Sequence, residues 1–190
     1  PSIGHKCLGA LLNGKKIDLI WTTNFEELIE KGISSLDNPL PFQIISPDNA
    51  HQVEEINSDG FSKVIKLHGD YKYDRLQNTK EEIQKLDKKL RNFFVEENKK
   101  KGLIVVGYNG ADTSILDSLN EVADSDNPFP LGLIWAIRKN SNPPQQIVNL
   151  VEKVNNKNKL SGFIEVDSFD EFMYELYSKS AVPNIGIEKI

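Results

Sequence analysis

Apolar residues along the chain fall into five short runs that are typical of β-strands. The runs cover residues 17–22, 63–67, 103–106, 131–137 and 162–166, and turn-forming residues bound each of them. Several runs, such as residues 103–106, show no polar alternation, which is what burial on both faces of a parallel sheet requires. The pattern therefore predicts a parallel sheet covered by helices.

Between these runs, apolar residues recur every three or four positions, which predicts amphipathic helices. One helix is expected near the N-terminus and others after residues 79, 113, 144 and 168. Thr113 is expected to cap one of them, and Thr79 with Glu82 and Ser168 with Glu171 have the spacing of capping boxes. This alternation predicts a doubly wound, mainly parallel α/β fold, Rossmann-like, with helices on both faces and the ligand site at the carboxyl ends of the strands.

Composition narrows this picture to one globular domain over residues 1–190. Cys7 is the single cysteine, so an internal disulfide and a zinc site with several thiolates are both excluded, and a reducing, cytoplasmic compartment fits best. The net charge of −5 gives no support for nucleic acid binding, and no apolar run is long enough to cross a membrane. Residues 37–62 are expected to be an irregular connection with a short strand at 42–46, and residues 180–190 a loose tail.

Polar residues directly follow three of the predicted strands. They are Thr23 and Asn24 after the first, His68 after the second, and the segment Gly-Tyr-Asn-Gly at residues 107–110 after the third. Each has an ordinary structural explanation: a cap for a helix beginning near Phe25, an inert hydrogen-bonded histidine, and a common strand-to-helix turn. Together they are a stronger signal, because parallel strands bring their carboxyl ends to one edge of a sheet.

These segments carry a specific resemblance. Thr-Thr-Asn-Phe-Glu at residues 22–26 resembles the Thr-x-Asn-x-Asp signature of sirtuins, and Lys-Leu-His-Gly-Asp at 66–70 resembles the segment that holds their catalytic histidine. Residues 107–112 are similar to the stretch that contacts the ribose on the adenine side of NAD. In order and spacing, the pair resembles the sirtuin-like domains of bacterial defence proteins more than the protein deacylases.

The resemblance implies a role for each matching residue, with NAD as the substrate. Asn24 would orient the nicotinamide ribose or the attacking water, and His68 would be the general base. Thr22, Thr23 and Glu26 would line the nicotinamide side, with Glu26 standing where the family has a shorter Asp. Gly107, Tyr108 and Asn109 would border the ribose of the adenosine half, and Trp21 and Phe25 are expected to be core residues or pocket wall.

Two features of the family are missing from this sequence. No Gly-Ala-Gly-x-Ser loop for the pyrophosphate precedes Ile17, so we expect an N-terminally truncated domain, without its first strand, that is inactive alone. The four-cysteine zinc module of the deacylases is also absent, and no zinc is expected.

The resulting hypothesis is an NAD glycohydrolase domain of a larger bacterial protein in antiphage defence. An attached or associated sensor domain and homo-oligomerisation are the partners that the resemblance implies. An NAD-dependent protein deacylase, a non-catalytic sensor of NAD or ADP-ribose, and an inert scaffold that assembles through its helices remain alternatives.

Overall fold

The computed structural model describes residues 1–47, 49, 61–67 and 80–182, and of residues 80–87 only the backbone. Helices and strands alternate along these ranges. The helices are α1 (Ile3–Asn13), α2 (Leu28–Ser34), α3 (Lys80–Asn98), α4 (Thr113–Asp124), α5 (Gln145–Lys157) and α6 (Phe169–Lys179). The strands are β1 (Leu19–Thr22), β2 (Phe42–Ile45), β3 (Ser62–Lys66), β4 (Leu103–Val106), β5 (Leu133–Arg138) and β6 (Gly162–Val166).

The described strands form two three-stranded sheets, with orders β1-β3-β2 and β4-β5-β6, and every pair in them is parallel. All five predicted strands are present, and β2 matches the short strand predicted at residues 42–46. The helices predicted near the N-terminus and after residues 79, 113, 144 and 168 are also present. This confirms the Rossmann-like α/β class.

The chain divides into two compact units, and each has its own core. The first unit comprises Pro1–Leu90 and Asp170–Ile190. In it α1 packs on α2, and both helices cover the sheet through a cluster of Leu12, Ile20, Ile33 and Val64. The close approach of the two helices needs small residues, since a methyl group added at Gly32 would lie 2.5 Å from the carbonyl oxygen of His5.

The second unit, Arg91–Phe169, is built around α5. This helix packs against α4, β5 and β6 and buries Ile147, Leu150, Val151 and Val154. At its end, the Lys157 ammonium donates hydrogen bonds to the last carbonyls of α4, among them Ala123 O at 3.0 Å. A cation at a helix C-terminus also interacts favourably with the helix dipole.

Strands β3 and β4 differ in how completely their side chains are buried. In β3, which lies between β1 and β2, all five residues are buried, as predicted for a parallel strand. The same prediction is wrong for β4, which ends its three-stranded sheet and leaves Ile104 47% exposed. Burial does not follow the local sequence here, because β3 contains Ser62, Lys63 and Lys66 whereas β4 is apolar throughout.

Several predicted boundaries are wrong. The strand predicted from residue 17 begins at Leu19. The strand predicted from residue 131 begins at Leu133, because Gly132 has φ +104° and interrupts the extended backbone, leaving Leu131 exposed. The helix expected near Phe25 begins at Leu28. The cap of α4 is Asp112 rather than Thr113, since the Asp112 carboxylate accepts hydrogen bonds from the amides of Ser114 and Ile115.

Some predictions fall outside the described residues, namely residues 48 and 50–60 of the irregular connection, the capping box of Thr79 with Glu82, and the last eight residues of the tail. Along the ranges that are described, no helix combines the length and the apolar character needed to cross a bilayer.

Candidate active site

The carboxyl end of β1 presents Asn24 to solvent. Thr22 is the last residue of the strand and is 8% exposed; its carbonyl accepts a hydrogen bond from the Leu67 amide at 2.9 Å. Its hydroxyl oxygen accepts the backbone amide of Asn24 at 3.0 Å, which turns the chain away from the sheet. Thr22 therefore fixes the backbone of Asn24, and the exposed Asn24 side chain is available to a ligand.

The structure excludes the capping explanation for these residues. Helix α2 begins at Leu28, its N-cap position is Glu27, and no side chain caps it. Neither Thr23 nor Asn24 is adjacent to the first helical turn. The polar residues after β1 therefore do not serve the helix that follows.

The other predicted residues of this loop differ in exposure. Thr23 is half-buried and Glu26 is exposed, whereas Trp21 lies within β1 and is half-buried. Phe25 is 51% exposed, so its assignment to the core is wrong, although a place in a pocket wall remains a prediction.

A buried lysine to which the sirtuin resemblance gives no role lies next to this loop. Lys66, the last residue of β3, pairs in register with Thr22 and is completely buried. Its ammonium lies 2.7 Å from a carboxylate oxygen of Glu30 on α2 and donates a hydrogen bond to the carbonyl of Phe25 at 3.3 Å. The sequence contained a signal for it, since a lysine inside an apolar strand needs a buried partner.

His68, the predicted base, lies outside the described residues. Its strand is described up to Leu67, whose amide is bonded to the end of β1. Strands β1 and β3 are therefore adjacent and parallel, and both end at the same level.

The second predicted region is the turn from β4 to α4, which belongs to the second unit. Gly107 has φ +71°, is exposed, and has open space where a side chain would project. Asn109 is exposed, and its side-chain oxygen accepts the Ala111 amide at 3.1 Å, which stabilises the turn. A glycine of this kind lets a ligand approach the backbone closely.

Tyr108 is fixed from two sides. Its hydroxyl donates to the carbonyl of Asp112 at 2.8 Å, and its ring packs at an angle against Trp135 of β5, with the ring centroids 6.1 Å apart. Burial, and to a smaller extent the charge of Asp112, raise the pKa of the Tyr108 hydroxyl. The tyrosine is therefore neutral at physiological pH and rigidifies the turn.

The two glycines of the Gly-Tyr-Asn-Gly segment have different roles. Gly110 has φ +77°, and a methyl group added there would lie 2.6 Å from the terminal carbon of Ile147. It allows the turn to pack against α5, whereas Gly107 faces open space. Only the first of the two is placed to meet a ligand.

The structure thus assembles two separate groups of predicted residues. Thr22, Thr23, Asn24 and Glu26 lie at the end of β1 beside β3, and Gly107, Tyr108 and Asn109 lie at the end of β4. Within the described ranges, no group of three His, Cys, Asp or Glu side chains is arranged to hold a metal ion.

A known protein family matches most of this chain. The family model described as "SIR2-like domain" matches residues 18–158, a span that includes both groups of residues and most of the chain. No curated protein matches the sequence. The parallel α/β architecture, the exposed asparagine at the end of β1 and the extent of the family match agree, and the chain belongs to the SIR2-like domain family.

Proposed function

We propose that this domain hydrolyses NAD to nicotinamide and ADP-ribose. The observation that carries the proposal is the position of Asn24, exposed at the carboxyl end of β1, with its backbone fixed by Thr22. The adjacent strand, β3, ends at the same level, and two residues later the chain reaches His68. Membership of the SIR2-like family supports an NAD-dependent activity in general.

Each of the two groups of residues fits a different part of NAD. Asn24 offers an amide that can both donate and accept hydrogen bonds, which suits the hydroxyls of a ribose. Gly107 offers open space beside a backbone in the left-handed region, which suits close contact with the second ribose.

The proposed chemistry requires little beyond a base and a positioning amide. Nicotinamide leaves as a neutral molecule, so no residue has to protonate it, and the transition state resembles an oxocarbenium ion on the ribose. Asn24 would hold the ribose or the attacking water in line with the anomeric carbon. His68 would accept the proton of that water as its oxygen bonds to carbon and the carbon–nitrogen bond breaks.

We place this activity in a larger bacterial protein that acts in antiphage defence. Hydrolysis of NAD in such a protein would be controlled by an attached or associated sensor domain. This part of the proposal rests on the order and spacing of the Asn24 and His68 motifs.

The experiment is nicotinamide release by the natural protein, with and without an acetylated peptide. A hydrolase releases nicotinamide at the same rate in both reactions, whereas a deacylase needs the peptide. The variant His68→Ala is expected to lose turnover and retain NAD binding, because the base acts on water. A wild-type protein that binds NAD and signals without releasing nicotinamide would establish the sensor and overturn the proposal.

A further inference from the structure

The clearest chemical feature that the proposed reaction does not use is the ion pair of Lys66 and Glu30. Lys66 is completely buried, and Glu30 is 8% exposed. Removing both charges from water is costly, and apolar residues of similar volume are often at least as stable at such positions. The presence of this ion pair at the end of β3 therefore needs an explanation other than stability.

The contacts of the Lys66 ammonium connect three elements. Lys66 is the last residue of β3, Glu30 lies on α2, and the carbonyl of Phe25 lies in the loop between β1 and α2. Phe25 is the residue directly after Asn24. The ammonium thus contacts the backbone of the loop one residue after Asn24.

The interaction with Glu30 is mainly a neutralisation of charge. The lysine nitrogen is 2.7 Å from one carboxylate oxygen of Glu30, and both side chains are buried. Glu30 therefore compensates the charge of the buried lysine, and Lys66 also donates a hydrogen bond to the loop.

We propose that Lys66, charge-compensated by Glu30, is a positioning residue that fixes the loop carrying Asn24 for the hydrolysis of NAD. It acts through the carbonyl of Phe25 and does not touch the substrate. The catalytic part of this inference rests on the function proposed above, whereas the structural part, the anchoring of the loop, does not.

The test replaces both members of the pair, Lys66→Met with Glu30→Leu, so that no buried charge is left uncompensated. We expect the thermal midpoint to stay close to that of the wild type. Hydrogen exchange of the amides at residues 23–27 is expected to rise about tenfold, because the loop loses an anchor. In the natural protein, kcat for nicotinamide release is expected to fall about tenfold with a smaller change in KM, since misplacement of Asn24 affects the transition state most.

The matched control is Lys63→Met. Lys63 is also buried and also lies on β3, but its ammonium donates to the carbonyl of Phe61 at the amino end of the strand. Lys63→Met should change neither the hydrogen exchange of the amides at residues 23–27 nor kcat for nicotinamide release. If the Met/Leu variant does not fold, Lys66→Gln with Glu30→Gln replaces it, because a neutral amide pair leaves no buried charge and the shorter side chain withdraws the donor from Phe25.

The outcomes separate the two proposals. Unchanged exchange at residues 23–27 in a folded double variant overturns the anchoring role, whatever the activity of the wild type. Faster exchange with unchanged kcat refutes the catalytic importance of the anchor. Faster exchange in a natural protein that releases no nicotinamide supports the anchor and overturns the proposed function.

Discussion

Burial in the core of the first unit changes the acidity of the Cys7 thiol. Cys7 lies in α1 with no exposed surface, and Asp170 accepts the Gly4 amide at the start of the same helix at 2.9 Å. Burial, with a contribution from the charge of Asp170, raises the pKa of the Cys7 thiol from 9.0 to about 11. The folded protein therefore disfavours the thiolate more than the unfolded chain does.

The consequence is a loss of stability at alkaline pH. Below pH 9 the Cys7 thiol is protonated in both the folded and the unfolded protein, and its contribution to the free energy of unfolding is fully present. As the pH rises from 9 to about 11, the thiol of the unfolded chain ionises first, and the free energy of unfolding falls. Urea unfolding measured across this range should show a steeper decline for the wild type than for Cys7→Ala, which lacks the thiol. Parallel declines of the two proteins would show that Cys7 contributes nothing to the pH dependence.

Lys66 shows what a sequence reveals about a site and what it does not. Its place within an apolar strand is visible in the sequence, and so is its position two residues before His68. Its partners are not visible, because Glu30 and the carbonyl of Phe25 are about 40 residues away in the chain and meet it only through the pairing of β1 with β3. A motif marks Asn24 as a candidate, whereas the partners of the lysine that contacts its loop have no local signature.

Among the elements, the pair α1 and α2 depends on its glycines. Alanine is normally favoured over glycine inside a helix by about 1 kcal/mol. At Gly32 the added methyl group would lie 2.5 Å from the backbone oxygen of His5, so the two helices would have to separate.

We therefore expect Gly32→Ala to destabilise the protein by about 2 kcal/mol in urea unfolding. The control is Gly162→Ala in β6, where the added methyl group meets nothing within 4 Å. Because α2 also carries Glu30, Gly32→Ala should lower NAD turnover as well. Equal stability of the two variants would contradict the close packing of α1 on α2.

The start of α4 gives a second test at this scale. Asp112→Ala removes the carboxylate that accepts two backbone amides and is expected to cost about 1 kcal/mol of unfolding free energy. Thr113→Ala, at the exposed first position of the helix, is expected to change stability by less than about 0.5 kcal/mol. If Thr113→Ala destabilises the protein more than Asp112→Ala does in chemical denaturation, the cap of α4 is Thr113, as the sequence pattern predicted.

The elements themselves were predictable from hydrophobic periodicity, and their ends were not. Apolar runs identified five strands and helical periodicity the five helices expected with them, whereas β2 was expected only as a short strand within an irregular connection. The sequence pattern placed the start of β5 too early, because only the structure shows that Gly132 adopts a positive φ. It also placed a helix directly after Asn24, because Asn and Thr favour caps, whereas here Thr22 uses its hydroxyl to turn the chain.

For the whole molecule, the described residues consist of two compact units, each with a three-stranded parallel sheet. Each unit presents predicted ligand-binding residues at the carboxyl end of a strand, Asn24 in one and Gly107 in the other. Parallel sheets place functional residues at this edge in many α/β proteins. That general rule, together with the two motifs, is why the candidate site was recognisable in the sequence, although the strand order was not.

The most direct test of the account is nicotinamide release by the natural protein carrying Asn24→Ala, compared with Asn156→Ala. Both residues are exposed, so both variants should keep their stability within about 0.5 kcal/mol, but only Asn24 lies at the proposed site. We expect Asn24→Ala to lower kcat about a hundredfold, as the loss of one positioning amide in an active site does, and Asn156→Ala to match the wild type. A rate for Asn24→Ala equal to that of the wild type would contradict the account.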